Sequence, residues 1–446
     1  MGRARRPAAA AVIVVGLALL AAPLNAQAPP AVHRAVLPNG LVVLARQMPG
    51  VNLVAVEVLV RGGQRYETPK TTGLATFVAE MLLKGAGART AQDIALGMEA
   101  VGGELTATAA PDYIEVTAVV TPAHAGLALE MVADILQRAT VDPAEVERQR
   151  RLILARIRAQ GDRPLDLVWQ RLLRALYPHH PYGSPLAGTP EAVASFTRQD
   201  LLDYYRTFFV PNNMVVSVAG ALRADEAVAR VSRALGEMRP ARLPARVGLL
   251  PSVERALAPR PTALRELREP RQTRAAWLAI GFLAPGAHSA DYPPLKVLNA
   301  VMGEMQSSRL YAEIRQKQGL AYQVGSVMPT RAGPGYLLAY AGTTPEQAAR
   351  VRDDMLKVVA GLRAGPVPAD EVERAKGYLI GNHAIGHERI QRQAWYPAWY
   401  EALGLGFAYD ARYPELIARV TSEDVQRVAR KYLDVPTVVI LAPGAP

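Results

Sequence analysis

TRQDLLDYYRTFFVPNNMVVSVAG (197–220) returns as TSEDVQRVARKYLDVPTVVILAPG (421–444), an offset of 224 residues from Thr197 to Thr421. Each copy reads as a capped amphipathic helix, a proline-containing turn, and a buried β-branched strand that ends in glycine. EVER occurs at Glu145–Arg148 and again at Glu371–Arg374, an offset of 226. A four-residue match alone is chance. Two matches in the same order at nearly one spacing make the chain a duplication. The repeats are placed at 29–240 and 262–446. The stretch between them, 241–261, carries Pro244, Pro251, Pro259 and Pro261 just after Pro240 and reads as an extended linker.

Working outward through the first repeat, HRAVL and LVVLAR flank Pro38-Asn39-Gly40, a hairpin signal. VNLVAVEVLV (51–60) is rich in valine and stops at the glycines of RGG, as a strand does. GELTATA and YIEVTAVV follow as two more strands. Helical patterns then occupy roughly 122–139, 143–160 and 164–176. Strands and helices that are grouped rather than strictly alternating predict an α+β fold. Each repeat is expected to be a mostly antiparallel sheet with helices on one face.

At 446 residues the chain exceeds one typical core and divides into about two domains. With half its residues hydrophobic and a fifth charged, it is globular rather than disordered. It contains no cysteine, which excludes disulfides, thiolate metal sites and cysteine nucleophiles. Residues 1–28 read as a signal peptide. Arg3, Arg5 and Arg6 precede an apolar stretch too short to span a bilayer comfortably, and small residues offer cleavage after Ala26 or Ala28. A retained N-terminal anchor is the competing reading. The expectation is an exported, periplasmic protein with no membrane span after cleavage. The formal charge of +11 falls to +8 once the three leader arginines are removed. Those charges are interspersed with acids, as in VERQRRLILARIRAQGDR, so solvated helix faces explain them better than nucleic-acid binding.

LPNGLVVLARQ, RGGQRYET, GLATFVAEMLLKG (73–85), HPYGSPLAGT and PNNMVVSVAG occur here in the order typical of the pitrilysin-type inverted zincins. That family includes the mitochondrial processing peptidases and their bacterial relatives, and the resemblance extends over essentially the whole mature chain. It implies two repeats forming half of a clamshell. Catalytic members resemble GLAHFLEHMLFKG at the helix. There, two histidines four apart bind zinc, a glutamate before the second polarises water, and a downstream glutamate completes the metal shell. Carried over, these places fall on Thr76, Glu80, Ala79 and Arg156. All four are changed. A threonine and one carboxylate do not fix zinc, and a guanidinium repels it. Two places that serve one ion in the family therefore carry opposite charges, Glu80 and Arg156, and they are expected to form an ion pair in the vacant site.

The second repeat keeps polar groups that the first has lost. In SSRLYAEIRQKQGLAYQVGS (307–326) a helix is expected to end near Gln318-Gly319 and a strand to begin near Ala321. Arg315 and Tyr322 can then converge although seven positions separate them. The segment resembles the family's arginine–tyrosine element. The resemblance implies that the pair grips the substrate backbone and stabilises charge developing on the scissile carbonyl. Taken alone, Arg315 is a helix-terminal surface cation and Tyr322 a half-buried strand residue.

His383 and His387, in GNHAIGHERIQRQAW, lie four apart. The sequence identifies no third ligand for them and Gly386 disturbs the helix, so surface or packing roles are favoured. His180, in the HPYG turn, is assigned no chemistry, and His179 is expected to face solvent. Trp395, Tyr396, Trp399 and Tyr400 are read as core more readily than as a subunit interface. No phosphate loop, dinucleotide fingerprint or nucleophile elbow is present. The resemblance in some bacterial members implies labour divided between two chains. On that reading this is the non-zinc-binding subunit of an exported heterodimeric metallopeptidase. It donates Arg315 and Tyr322 to a homologous partner that carries Zn2+, and acts on peptides or unfolded polypeptide. It holds no cofactor of its own. The alternative is an inert peptide-binding or scaffolding pseudoenzyme, in the form of a homodimer or otherwise.

Overall fold

The computed structural model describes residues 31–161, 163–243, 261–271 and 273–443. The leader (1–28) and nearly all of the proline-rich stretch 241–261 lie outside the described residues. In the first half, β1 (His33–Val36) and β2 (Val42–Gln47) form the hairpin that Pro38-Asn39-Gly40 predicts, and β3 (Val54–Arg61) follows. Next come α1 (Leu74–Met81), a small ribbon of β4 (Gly85–Ala86) and β5 (Arg89–Thr90), α2 (Ala91–Glu99), β6 (Glu104–Ala109) and β7 (Tyr113–Val120). Helices α3 (Ala125–Arg138), α4 (Pro143–Gln160), α5 (Pro164–Leu176), α6 (Pro190–Ser195) and α7 (Arg198–Phe208) lead to β8 (Met214–Gly220) and α8 (Ala224–Leu235).

The second half runs β9 (Arg265–Pro270), β10 (Ala276–Ala284) and α9 (Tyr292–Asn299). Two π-helical turns follow, Ala300–Glu304 and Tyr311–Lys317. Then come β11 (Ala321–Val327), β12 (Gly335–Thr343), α10 (Ala348–Ala364), α11 (Ala369–Gly386), α12 (Ile390–Leu403), α13 (Tyr409–Ala418), α14 (Ser422–Tyr432) and β13 (Thr437–Ala442).

The two sheets share one topology. The first has the order β1-β2-β8-β3-β7-β6, and the second, read in the same direction, β9-β13-β10-β12-β11. In each, only the pair that joins the early strand to the last one is parallel, β2 with β8 and β9 with β13. The helices of the recurring motif are α7 and α14. Each starts with a reciprocal cap, Thr197 with Asp200 and Thr421 with Asp424, in which the hydroxyl accepts from the aspartate N–H and the carboxylate from the threonine N–H.

Strand periodicity explains the layering. In β3, Val54, Val56, Val58 and Val60 face a core built with the first half's own helices. The other face of that sheet is buried too, by α12 of the second half. Ala55, Val119 and Ala219 pack against Ile390 and Ala394, while Leu44, Leu59 and Val215 join the second core. The exchange is reciprocal. Helix α5 of the first half lays Leu167, Val168, Leu172 and Leu176 on Trp277, Ala279, Val439 and Leu441 of the second sheet. Helices α5 and α12 occupy equivalent places, since Pro164 and Ile390 are 226 residues apart. Each sheet therefore carries its own helices on one face and the other half's exchanged helix on the opposite face. The aromatic cluster lies at this seam: Tyr113 of β7 meets Trp399 at 4.7 Å and Trp395 at 6.2 Å between ring centres. Trp399 and Tyr400 are buried, as core residues should be, and their core belongs to both halves.

Candidate functional site

Helix α1 is seated by Glu67, a buried carboxylate that accepts hydrogen bonds from the N–H groups of Gly73 and Ala75, both at 2.9 Å. This satisfies donors that the first turn of a helix leaves without intrahelical partners. Along the helix, Thr76 donates from Oγ1 to the carbonyl of Leu186 at 2.6 Å, and Ala79 is fully buried. One turn on, Glu80 reaches α4. Its Oε1 accepts from Arg156 Nη2 and its Oε2 from Gln149 Nε2. The ion pair expected from the two charges is formed, and Gln149 completes it. Both oxygens of Glu80 are occupied and the threonine hydroxyl is spent on a carbonyl. Neither imidazole nor thiolate is present on this helix. Zinc does not fit such a set: three protein ligands are the usual minimum, and a guanidinium stands in place of the third.

The second region is built differently. The helix expected to end near Gln318-Gly319 does so, but in π form, Tyr311–Lys317. A π turn is wider than an α turn and recurs at functional sites. Gly319 then takes φ +64°, a left-handed backbone that turns the chain into β11. Strand β11 lies at the edge of its sheet, and its register against β12 slips between Ala321 and Gln323. Tyr322 is the residue at the slip. A bulge at a sheet edge re-aims one side chain, and here it leaves the phenol ring half exposed, at 51%. The ring stands edge-on to the buried Trp277 at 5.6 Å. It also lies over Gly342, where a Cβ would come within 2.8 Å of ring atoms.

Arg315 is exposed and converges with Tyr322 as the spacing predicts. One of its Nη atoms donates to the backbone carbonyl of Tyr322, and its guanidinium lies 5.5 Å from the centre of the Tyr311 ring. Partial burial raises the Tyr322 phenol above its ordinary range, so it stays protonated and able to donate. The exposed guanidinium and the half-exposed phenol therefore lie together where the π turn meets the edge strand. That arrangement suits a peptide carbonyl or an oxyanion.

A cavity of about 620 Å³ opens between the halves, beside the α1–α4 pair. It is lined by Ile157 and Gln160 of α4, Trp169 of α5, Leu186, and Arg331 and Tyr336 from the second half. His180 is buried, lines a neighbouring cavity with Arg65 and Tyr177, and accepts from the Tyr182 N–H at 3.2 Å through Nδ1. Burial, with Arg65 nearby, lowers its pKa to about 4, so at neutral pH it is an uncharged packing group. His179 is exposed.

Sequence reasoning missed several residues here. Gln149, Trp277 and Gly342 act on the predicted residues only through tertiary contact, and no local pattern marks them. Asp410 was missed as well: its carboxylate meets His387 Nε2 at 3.0 Å and His383 Nε2 at 3.6 Å. Gly386 does not break α11 early but ends it, leaving both histidines on one face.

Comparison with known proteins identifies the lineage. Residues 42–190 match the model described as insulinase (peptidase family M16), and residues 195–379 match the peptidase M16 inactive domain. An uncharacterized zinc protease of Mycobacterium leprae is 32% identical over 420 residues, covering 90% of this chain and 89% of the relative. One of Bacillus subtilis is 29% identical over 350 residues, covering 78% and 83%. Among solved structures, a protease from Helicobacter pylori superposes with a TM-score of 0.84 at 20% identity, over 93% of this chain and all of that one. A peptidase M16 inactive domain from Pseudomonas fluorescens gives 0.84 at 20%, over 93% and 98%.

Proposed function

This chain belongs to peptidase family M16, and from that premise we propose that it is the non-zinc-binding subunit of a two-chain metallopeptidase. It is exported to the periplasm and pairs with a homologous subunit that carries zinc. Arg315 and Tyr322 act there in trans. A substrate segment lies extended along the sheet edge, its backbone held by main-chain hydrogen bonds. Arg315 orients the peptide and Tyr322 donates to the scissile carbonyl as charge develops on it, while the partner's zinc supplies the activated water.

One observation carries the reading: the arginine and the tyrosine converge, exposed, on a bulged sheet edge, in a chain whose own metal helix is closed by Glu80, Gln149 and Arg156. Among the described residues, no helix is long and apolar enough to cross a membrane.

The test is reconstitution. Neither chain alone cleaves a generic unfolded peptide; the mixture does, and chelation stops it. Tyr322→Phe in the assembled pair lowers turnover about a hundredfold, equivalent to roughly 3 kcal/mol, with little change in peptide affinity. Unaltered turnover removes the tyrosine from the chemistry. Zinc-dependent digestion by this chain alone overturns the division of labour.

A further inference from the structure

The seam between the halves holds a second cluster that peptide handling does not use. Helix α11 ends with His383 and His387 on one face, and α13 begins with Asp410 facing them. His387 Nε2 lies 3.0 Å from both oxygens of Asp410, and His383 Nε2 lies 3.6 Å from Oδ1. All three ligand atoms fall within 4.8 Å of one another. Tetrahedral zinc, with bonds of about 2.0–2.1 Å, places neighbouring ligand atoms about 3.3 Å apart.

Ring orientation says what is missing between them. His387 Nδ1 is 2.7 Å from the carbonyl of His383, which can only accept, so the proton sits on Nδ1. In the neutral ring the Nε2 lone pair then points at a carboxylate. A proton could bridge that one pair and make an imidazolium. The nitrogen of His383 converges on the same oxygen, however, and the two rings lie 4.3 Å apart, too close for both to carry charge cheaply. Three converging ligand atoms suit a cation with several coordination positions. The surroundings match the supporting shell of a metal site, where a ligating histidine gives its other N–H to a backbone carbonyl. Tyr396 stacks on His387 at 4.2 Å and Tyr413 lies 5.1 Å from His383, fixing both rings. The buried Arg46 of β2 stands behind the carboxylate, its Nη2 3.6 Å from Oδ2, and its Nη1 donates to Gln393 at 2.5 Å. It opposes a dication but orients Asp410. The two histidines retain 13% and 14% side-chain exposure, which leaves a path for entry and room for water as a fourth ligand.

We propose that His383, His387 and Asp410 form a zinc-class divalent-metal site at the seam between the two halves. The ion ties α11 to α13 on either side of the exchanged helix α12, and through Arg46 it touches the first sheet. Its role is structural.

The whole chain, stripped with chelator and dialysed, is titrated with zinc and, separately, with cobalt(II). Expected results are one zinc per chain, visible bands of low-symmetry cobalt, and a rise in Tm of several degrees. His387→Gln and, separately, His383→Gln cut loading at least tenfold while the apo forms keep wild-type circular dichroism. Should Asp410→Asn fail to fold, these two variants still decide. No uptake at tenfold excess zinc identifies an ion-paired cluster only and overturns the site, as does undiminished loading in both histidine variants.

Discussion

Helix α1 of the first half and the π turn of the second lead into matching sheets, yet they treat their polar groups in opposite ways. At α1 each group that could meet a substrate is consumed internally: Thr76 by Leu186, and Glu80 by Arg156 and Gln149. At the π turn Arg315 and Tyr322 stay exposed, their positions fixed from beneath by Trp277, Gly342 and one backbone bond. A vacated ionic site cannot hold a single buried charge, because desolvation of an unpaired ion is costly, so it closes with a counter-charge. An exposed group faces no such cost, since water satisfies its donors.

The contrast can be broken most sharply by exchanging one donor fork for a point charge. Arg315→Lys in the reconstituted pair should lower turnover on the order of a hundredfold, because lysine cannot supply paired planar donors. Glu80→Gln should alter it less than about threefold, well inside the cost of one transition-state donor. Comparable losses in both would erase the distinction. Stability comes next. His180, with its pKa lowered to about 4, stays neutral in the fold, whereas the unfolded chain takes up its proton near 6.5. The unfolded state therefore binds more protons between those values. Stability is fully present above about pH 6.5 and falls as pH drops through the window, by about 3 kcal/mol in all. Urea unfolding at pH 7 and pH 4.5 measures it, and His180→Gln should remove that part of the slope.

Smaller effects sharpen the comparison further. Gly342→Ala places a methyl against the Tyr322 ring and should slow turnover about tenfold, roughly 1.4 kcal/mol, with Tm nearly unmoved. A stability loss without a rate change would assign the ring to packing alone. Last, a double-mutant cycle on Glu80 and Arg156 should return a coupling of about 0.5 kcal/mol, because the arginine is 46% exposed and water screens the pair. A coupling of several kcal/mol would mean that the closed site braces the fold.

Much of this was legible beforehand. The two capped helices that open the recurring motif and the hairpin at Pro38-Asn39-Gly40 were read from local patterns, because caps and turns are chemistry between near neighbours. The Glu80–Arg156 pair was legible for another reason: places that surround one ion in a shared fold stay adjacent when the residues change. The slip at Tyr322 was not legible. Nothing in AYQV announces it, since register is fixed by β12 across the sheet. Asp410 was hidden in the same way, 23 residues beyond His387 and on another helix.

Periodicity, caps and an internal offset of 224 residues were enough, as sequence, to dictate a duplicated α+β chain, and the resemblance to the inverted zincins implied that its metal helix had lost its ligands. The reciprocal exchange of α5 and α12, the outward aim of Tyr322 and the meeting of two histidines with Asp410 were decided only when the halves packed. Local patterns report which face of an element is apolar. Which apolar face it meets is set by the shape of the whole molecule.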